Sequence, residues 1–386
     1  MWGRYSGRVA IFDLTESELR RRTSMKWRRF PADVLPMWVA EMDCRPAPEV
    51  VDAVAEVMRL GDTGYPGTPL YAEAFADYAS DTWSWEIDTA RVVGLPDVMH
   101  GIVGILDALT DPRSPVVVNP PVYPSFYEYL AWSERPVVEA QLNDAGRLDL
   151  EAIERAYAGA DGVRPRAHLI CNPHNPHGVV PTADELAQVA ELANRYGVLV
   201  ISDEIHAPLV SSSARHTPWT TVPGGETGVV VTSASKAWNL AGLKAAIAIG
   251  GEESGPRLRK LPPQVTGGGT HVGILAHAAA LTDARAWVEQ CLTEIETNRR
   301  LLSELLTEHL PQIRYTPGPA TYLAWLDCTG LGLDDPHRTF LDRGRVAFNP
   351  GRAFGTGGEQ HVRMNLATNP DIIRDGVARM VAALDA

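Results

Sequence analysis

Cysteine is scarce in this sequence, and long apolar runs are absent. The four cysteines are spread over 386 residues and none belongs to a CxxC pair, which disfavours a disulfide framework and a zinc site. No apolar run approaches the roughly 18 residues of a membrane-spanning helix. The first residues, 1–5, lack the apolar core of a signal peptide. We therefore expect free thiols, a cytoplasmic location and no membrane partner.

Basic residues are outnumbered by acidic ones. Lysine and arginine together number 35, against 48 aspartates and glutamates, so the formal net charge is −13. An acidic protein is poorly suited to bind nucleic acid. Several basic residues do cluster between Arg20 and Arg29, but Trp27 and Phe30 interleave with them, which is typical of a solvated face. A chain of this length suggests two or three domains.

Strand patterns alternate with helix patterns through the middle of the chain. Apolar, largely β-branched runs predict buried strands at residues 116–118, 168–171, 198–201 and 229–231. Helical patterns lie between them, and one begins at a capping box of Thr182 and Glu185. This alternation predicts an α/β protein with a large domain, in which helices wrap a mostly parallel sheet.

The character of the chain changes after a long helical region, predicted from Ile274 to about Leu310. Short strand candidates and a final helix follow at 322–326, 346–348, 361–366 and 372–384. These segments predict a smaller α+β domain. We place the large domain at residues 45–280, and the small domain at residues 1–44 together with 281–386.

Residues suited to bind a ligand follow the ends of the predicted strands. They are Tyr123, Asn175, Asp203, His206 and Lys236. Parallel sheets bind ligands at the carboxyl ends of their strands, so we expect these side chains to converge. Lys236 lies between a buried strand and a serine-rich turn, an environment that lowers the pKa of an amine and suits Schiff-base chemistry.

This set of residue types matches what pyridoxal phosphate requires. A lysine holds the aldehyde carbon, and a carboxylate keeps the ring nitrogen protonated so that the ring acts as an electron sink. An aromatic face stacks on the ring, and an amide donor meets the phenolate oxygen. A helix N-terminus and hydroxyl groups hold the phosphate. The stretch 92–101, which leads from a strand into a helix, is a candidate for that helix start.

The sequence resembles the fold-type-I pyridoxal-phosphate enzymes of the class I and II aminotransferase superfamily. Within that superfamily it is similar to the MalY/PatB branch of cystathionine β-lyases, also called C–S lyases. The matching motifs extend over nearly the whole chain. They are RTSMKW at 22–27, MWVAEMD at 37–43, NPHNP at 172–176, SDEIH at 202–206, SASK at 233–236, NLAGL at 239–243 and RMNLAT at 363–368.

The resemblance implies a pyridoxal 5'-phosphate transferase fold of type I and a role for each motif residue. Lys236 is the implied Schiff-base lysine and proton-transfer base, Asp203 the partner of the ring nitrogen, and Arg363 the residue that holds the substrate carboxylate. Tyr65 is implied to reach the site of a second subunit, so we expect a homodimer. The other implied cofactor contacts are Asn175, His206, Tyr123, Ser233, Lys244 and the backbone of Val98 and Met99.

The reaction implied is α,β-elimination on cystathionine or another S-substituted L-cysteine, which gives a thiol, pyruvate and ammonia. An aminotransferase is the alternative, since it shares the early steps, and a biosynthetic enzyme with decarboxylating or oxidising chemistry is a further variant. His206 favours the lyase, because transaminase relatives commonly carry tyrosine at that position. A cofactor-binding regulator without turnover is disfavoured by the complete set of Lys236, Asp203, Asn175 and Arg363.

The sequence departs from the branch pattern at several positions. Glu41 stands where aspartate is usual, Cys44 where an aromatic residue is usual, and His177 where a small residue is common. Residues 267–269 add an unusual run of glycines. These departures leave the choice of amino-acid substrate open. His174, His177 and His206 fit no common zinc spacing, so we expect no metal.

Overall fold

The computed structural model describes residues 10–67, 69–159, 162 and 164–385. The expectation about a signal peptide falls on residues 1–5, which lie outside the described residues. The strands are β1 Leu35–Pro36, β2 Val92–Leu95, β3 Val116–Val118, β4 Val137–Glu139, β5 Ala167–Cys171, β6 Leu199–Asp203, β7 Val229–Thr232, β8 Ala246–Gly250, β9 Leu323–Asp327, β10 Val346–Ala347, β11 Asn349–Pro350 and β12 His361–Asn365.

The helices follow the same chain order. They are α1 Glu16–Leu19, α2 Met25–Arg28, α3 Pro48–Leu60, α4 Leu70–Trp83, α5 Val98–Leu109, α6 Pro124–Trp132, α7 Leu150–Ala158, α8 Ala183–Tyr196, α9 Gly255–Leu258, α10 Pro263–Thr266, α11 His271–Asp283, α12 Arg285–His309, α13 Pro336–Asp342 and α14 Pro370–Asp385. In the ranges described, no helix is both long and apolar enough to cross a membrane.

Seven strands form the central sheet, in the order β2-β8-β7-β6-β5-β3-β4. Strands β4, β3, β5, β6 and β7 are parallel, whereas β8 is antiparallel to both its neighbours. The predicted α/β fold with a mostly parallel sheet is confirmed. The register pairs Cys171 with Asp203 and Asp203 with Val231, so the carboxyl ends of β5, β6 and β7 lie side by side.

Local sequence signals explain where the helices around the sheet begin. The capping box of Thr182 and Glu185 is present at the start of α8, as expected. Helix α5 begins at Val98, inside the stretch 92–101 that the sequence predicts to lead from a strand into a helix, because the Asp97 side chain caps it by accepting a hydrogen bond from the His100 N–H. The backbone of Val98 and Met99 therefore forms the first turn of this helix.

The long helical region predicted from Ile274 to Leu310 is two helices, α11 and α12, which meet at Ala284. Ala284 has φ −109° and ψ 28°, outside the helical range, although no glycine or proline marks the break. Its carbonyl instead accepts a hydrogen bond of 3.0 Å from the indole N–H of Trp238. A tertiary contact thus takes the acceptor that a continuous helix would use.

The C-terminal strands form two small sheets rather than one. A three-stranded antiparallel sheet has the order β11-β12-β9. Strand β10 pairs instead with β1, in parallel, so the N-terminal segment and the C-terminal part are joined by backbone hydrogen bonds. Helix α14 then packs on α12 and α13.

Three apolar clusters support these sheets. Two of them flank the central sheet, on the faces to which Val230 and Val231 belong. The third combines N-terminal residues such as Leu19 and Trp27 with residues of α12, β9, β12 and α14. N-terminal residues also join the first cluster, through Ile11 and Phe12. The domain boundaries at 44/45 and 280/281 stay a prediction.

Candidate active site

A cavity of about 210 Å³ opens at the carboxyl ends of the parallel strands. Its walls include every predicted site residue except Tyr65 and Arg363. The predicted residues in the walls are Val98, Met99, Tyr123, Asn175, Asp203, His206, Ser233, Lys236 and Lys244. The alternation of strands and helices has therefore brought together side chains from five separate parts of the chain.

Lys236 lies in the turn after β7, and its Nζ donates a hydrogen bond of 3.0 Å to the carbonyl of Ala40. Burial and, after it, the positive charge of Arg363 lower the pKa of Lys236 to about 8, against the opposing effect of Asp203. About a fifth of the amine is consequently neutral near physiological pH, far more than for an ordinary lysine. A neutral amine is the form that attacks a carbonyl carbon or accepts a proton.

Asp203 ends β6 and is 3% exposed. Burial raises the pKa of its carboxyl to about 7, and the charge of Glu204 adds to the rise, while the backbone N–H of Ile205 and the charge of Lys236 oppose it. The N–H of Ile205 donates a hydrogen bond of 3.1 Å to the Oδ1 of Asp203. A buried carboxyl with so little compensation is suited to a cationic ligand group.

Arg363 lies on β12 and is 2% exposed, just behind the cavity wall. Its Nη1 donates to the Asn175 Oδ1 at 3.0 Å and its Nη2 donates to the Trp38 carbonyl at 3.3 Å. Its Nε is buried without a hydrogen-bond partner among the described residues. Burial lowers the pKa of the guanidinium to about 10, so it stays charged at neutral pH. A cation with a spare donor is suited to bind a carboxylate.

Two rings border the space between these charges. Tyr123 precedes α6, which begins at Pro124, and its ring packs edge-on against Phe126 at 5.9 Å between centroids. His206 is buried, and burial together with the charges of Lys236 and Arg363 lowers its pKa to about 3. His206 is therefore neutral, and its Nδ1 has no hydrogen-bond partner within the described ranges.

The first turn of α5 forms the remaining end of the cavity, and its free N–H groups suit an anion. Lys244 is placed here, but its Nζ pairs with the Asp97 Oδ2 at 2.9 Å. Ser233 donates to the Ala245 carbonyl at 2.7 Å and accepts from the Ser235 N–H at 3.2 Å. The side chains of Lys244 and Ser233, both predicted to contact the phosphate, each bond to a protein group in this structure.

Sequence reasoning missed several residues of the site. Asp97, Ser125, Tyr129 and Ser235 line the cavity, and Ala40 contributes its carbonyl. Asp97 carried a usable signal, because an aspartate before an apolar helical run is a typical N-cap. The carbonyl of Ala40 carried none, since its contact with Lys236 spans 196 positions in the chain.

Tyr65 does not join the site within this chain, because it is fully exposed on the loop after α3. The positions that depart from the branch pattern also lie outside the cavity wall. The Glu41 side chain accepts a hydrogen bond from the Ser24 hydroxyl at 2.5 Å, and Cys44 is buried. His177 packs beside the Trp325 ring, 6.1 Å between centroids.

The residues present fit pyridoxal phosphate. Asp203 lies at the end of a strand as a buried carboxyl without a cationic hydrogen-bond partner among the described residues, a place for a protonated ring nitrogen. The Lys236 amine has the lowered pKa that a carbonyl-binding lysine needs. The α5 N-terminus offers N–H groups for a phosphate.

The comparisons with known proteins agree with this arrangement. The sequence matches the Aminotransferase class I and II family over residues 34–380. A Mycobacterium leprae protein provisionally named cystathionine beta-lyase is 49% identical over 390 residues, which cover 96% of this chain and 97% of that one. The cystathionine beta-lyase PatB of Bacillus subtilis is 31% identical over 97% of this chain and 99% of its own.

A solved structure extends the similarity to the whole fold. It is a protein of Corynebacterium diphtheriae, provisionally described as a PLP-dependent beta-cystathionase, with a TM-score of 0.91 and 31% identity. The alignment covers 98% of this chain and all of that one. Fold and site together define a pyridoxal-phosphate enzyme of fold type I. The chain belongs to the class I and II aminotransferase family, and its relatives include PatB of Bacillus subtilis and MalY of Escherichia coli, after which the predicted branch is named.

We predict that formaldehyde and a reductant methylate the amine of Lys236 in the cofactor-free protein, and that a plot of labelling rate against pH has its midpoint near pH 8. Below that pH the amine is protonated and cannot attack, so labelling should rise with pH through this range. Mass spectrometry of the peptide that contains Lys236 measures the labelling. In an Arg363→Met variant the midpoint should move to higher pH, because the charge of Arg363 lowers the pKa. A wild-type midpoint at pH 10 would contradict the buried environment described here.

Proposed function

We propose that this protein is a pyridoxal-phosphate-dependent C–S lyase, which performs α,β-elimination on an S-substituted L-cysteine such as cystathionine. The products are a thiol, pyruvate and ammonia. One observation carries the proposal: Lys236 and Asp203 line one cavity, and Arg363 lies behind its wall, bonded to the wall residue Asn175. An amine of lowered pKa, a buried carboxyl and a guanidinium that stays charged are therefore close together. The family and its cystathionine β-lyase members support the same reaction.

Arg363 binds the substrate carboxylate in this proposal. Its guanidinium is held by Asn175 and by the Trp38 carbonyl, so it presents its remaining donor capacity in one orientation. A planar guanidinium can form two parallel hydrogen bonds to a carboxylate, which orients the amino acid as well as binding it. The substrate Cα is thereby directed toward Lys236.

Lys236 accepts the Cα proton. Its lowered pKa makes a neutral amine available near pH 8, and the Ala40 carbonyl holds the amine in the cavity through a 3.0 Å hydrogen bond. Pyridoxal phosphate, when bound, supplies the electron sink for the negative charge that remains at Cα. Asp203 keeps the ring nitrogen protonated, because its buried carboxyl gains a cationic partner.

The remaining predicted contacts hold the cofactor in this proposal. Tyr123 offers a ring face, and Asn175 and neutral His206 are the groups for the phenolate oxygen. Ser233, Lys244 and the N–H groups of Val98 and Met99 surround the phosphate. The charge of Lys244 is cancelled by that of its ion-pair partner Asp97. The N–H groups at the start of α5 therefore supply most of the attraction for the phosphate.

An aminotransferase is the second candidate, because the matching family is the Aminotransferase class I and II family. Both reactions begin with loss of the Cα proton to Lys236. They separate afterwards, because elimination expels a group from Cβ, whereas transamination leaves Cβ intact and passes the amino group on to a keto acid. A thiolate is a competent leaving group, so a sulfur substituent on Cβ favours elimination.

We predict that the purified protein with pyridoxal phosphate converts cystathionine or an S-alkyl cysteine to thiol and pyruvate in equal amounts, without an added keto acid. Both products are measured in the same reaction. Lys236→Ala should lower the rate by at least about a hundredfold, because the group that moves the proton is removed. Lys260→Ala, at an exposed lysine, is the matched control and should leave the rate unchanged.

The aminotransferase would replace the lyase if neither product formed while an added keto acid was converted to its amino acid. Loss of the thiol and pyruvate signals in Lys236→Ala alone would support the lyase. Equal loss in both lysine variants would argue against the role of Lys236.

We predict that Arg363→Lys lowers kcat/KM about tenfold to a hundredfold, since one charge-assisted contact to a carboxylate contributes roughly 1.5–3 kcal/mol. Lysine keeps the charge but cannot form the two parallel hydrogen bonds of a guanidinium. Steady-state kinetics with S-alkyl cysteine measure the change. Arg338→Lys, at an arginine that is 78% exposed, is the control. An unchanged kcat/KM would remove Arg363 from substrate binding.

We also infer that the enzyme is a homodimer. Among the described residues, five of the seven large exposed apolar side chains fall between residues 51 and 70, on α3, on the loop after it and at the start of α4. They are Val51, Met58, Leu60, Tyr65 and Leu70. An exposed apolar patch of this kind marks an interface. Tyr65 of a second copy would then reach the site, while a cytoplasmic location stays a prediction.

Light scattering should give a mass twice that of the chain. Met58→Glu should produce monomers with reduced activity, because it places a charge in the apolar patch. Met25→Glu is the matched control, since Met25 and Met58 are both 60% exposed and Met25 lies outside the patch. A monomeric wild-type protein with full activity would disprove both the dimer and the role of Tyr65.

A further inference from the structure

Glu204 follows Asp203 directly, and its carboxylate is one of the most completely buried in the described part of the chain, at 1% exposure. Four donors surround it. The Oε1 accepts from the Ser202 hydroxyl at 2.9 Å, from the Trp219 N–H at 2.8 Å and from the Asn172 amide at 3.4 Å. The Oε2 meets the Nε2 of His216 at 2.9 Å, and the side chain of His216 is fully buried.

The hydrogen-bond pattern indicates the charge of each partner. The Nδ1 of His216 is buried without a hydrogen-bond partner among the described residues. If the ring were protonated at both nitrogens, a buried N–H would be left unpaired, which costs more than an empty lone pair. The arrangement that satisfies the ring is therefore a neutral His216 that donates from Nε2. Glu204 is then a carboxylate that accepts from four uncharged donors.

A buried anion without a cation projects its charge on its neighbours, because little solvent screens it. Asp203 is the adjacent residue, and the charge of Glu204 raises the pKa of its carboxyl, in the same direction as burial but with a smaller effect than burial, the Ile205 N–H or Lys236. The backbone fixes this relation. The Glu204 N–H donates to the Val231 carbonyl at 2.9 Å, and the Glu204 carbonyl accepts from the Thr232 hydroxyl at 3.2 Å.

We propose that Glu204 is a positioning residue for the ring-nitrogen site of the cofactor: its buried carboxylate adds to the negative potential of Asp203 and so favours a protonated ring nitrogen. This inference rests on the proposed placement of that nitrogen beside Asp203. A purely structural role is the competing explanation, since Glu204 also connects β6 to the loop that carries His216 and Trp219. The proposed role depends on the negative charge of Glu204, whereas the structural role depends only on its hydrogen bonds.

The test compares two ligands of the cofactor-free protein. One is pyridoxal phosphate and the other is 1-deazapyridoxal phosphate, which has a carbon in place of the ring nitrogen and cannot be protonated there. Equilibrium dialysis gives the dissociation constant of each, and their ratio is the discrimination that depends on the ring nitrogen. Folding defects affect both ligands alike, so the ratio isolates the electrostatic contribution.

Glu204→Gln removes the charge with little change of shape. A glutamine can still accept from Ser202 and Trp219, and it can donate to the Nε2 of His216 if that ring moves its proton to Nδ1, which is unpartnered in the described part of the chain. The cost of that unpaired N–H is the same with either ligand, so it does not change their ratio. We expect the discrimination to fall about tenfold, because a buried charge that little solvent screens is removed beside Asp203. Glu191→Gln, at a side chain that is 72% exposed, is the matched control and should leave the ratio unchanged.

Two further variants separate the possible outcomes. Glu204→Asp keeps the charge and should keep the discrimination, whereas Asp203→Asn should abolish it. If Asp203→Asn retains the discrimination, the proposed site of the ring nitrogen is wrong. If Asp203→Asn loses it but Glu204→Gln does not, only the role of Glu204 is overturned. Loss of binding of both ligands in Glu204→Gln and in Glu204→Asp would likewise overturn it, in favour of the structural role.

Discussion

The main chain of residues 38–43 lies between Lys236 and Arg363 and accepts a hydrogen bond from each of them. The positions of both cations therefore depend on how this segment is held. Asn239 exchanges two hydrogen bonds with this segment, at 2.9 and 3.0 Å, and Asn365 donates two more, each at 2.7 Å. Asn239 follows Lys236 in its turn, and Asn365 follows Arg363 on its strand. The segment is therefore clamped between the elements that carry both cations, and its carbonyls accept hydrogen bonds from both.

Charges that are removed from water are costly unless they are compensated, and this site contains several. Burial and the charge of Arg363 lower the pKa of Lys236, whereas burial, with a smaller effect from the charge of Glu204, raises the pKa of Asp203. The result is an amine that is easily neutral and a carboxyl that readily takes a cationic partner. Both properties follow from the shared low-dielectric surroundings rather than from any single hydrogen bond.

Much of the fold and site could be predicted because its signals are local. Buried strands show as β-branched runs, a helix start shows as a capping box, and polar residues directly after strands indicate a ligand edge. Signals that arise from packing were not predictable. The break between α11 and α12 at Ala284 depends on the Trp238 indole, and the pairing of Lys244 with Asp97 joins residues 147 positions apart.

The sequence by itself determined the residue types of the site, the kind of sheet and the family, because each is recorded in short motifs or in apolar periodicity. Only the tertiary structure decided how those residues are arranged. Arg363 meets Asn175 across 188 positions and Lys236 meets the Ala40 carbonyl across 196. Burial then set the pKa values of Lys236 and Asp203. Contacts of such separation, and the loss of solvent around them, exist only after the chain has packed, so no local pattern can encode them individually.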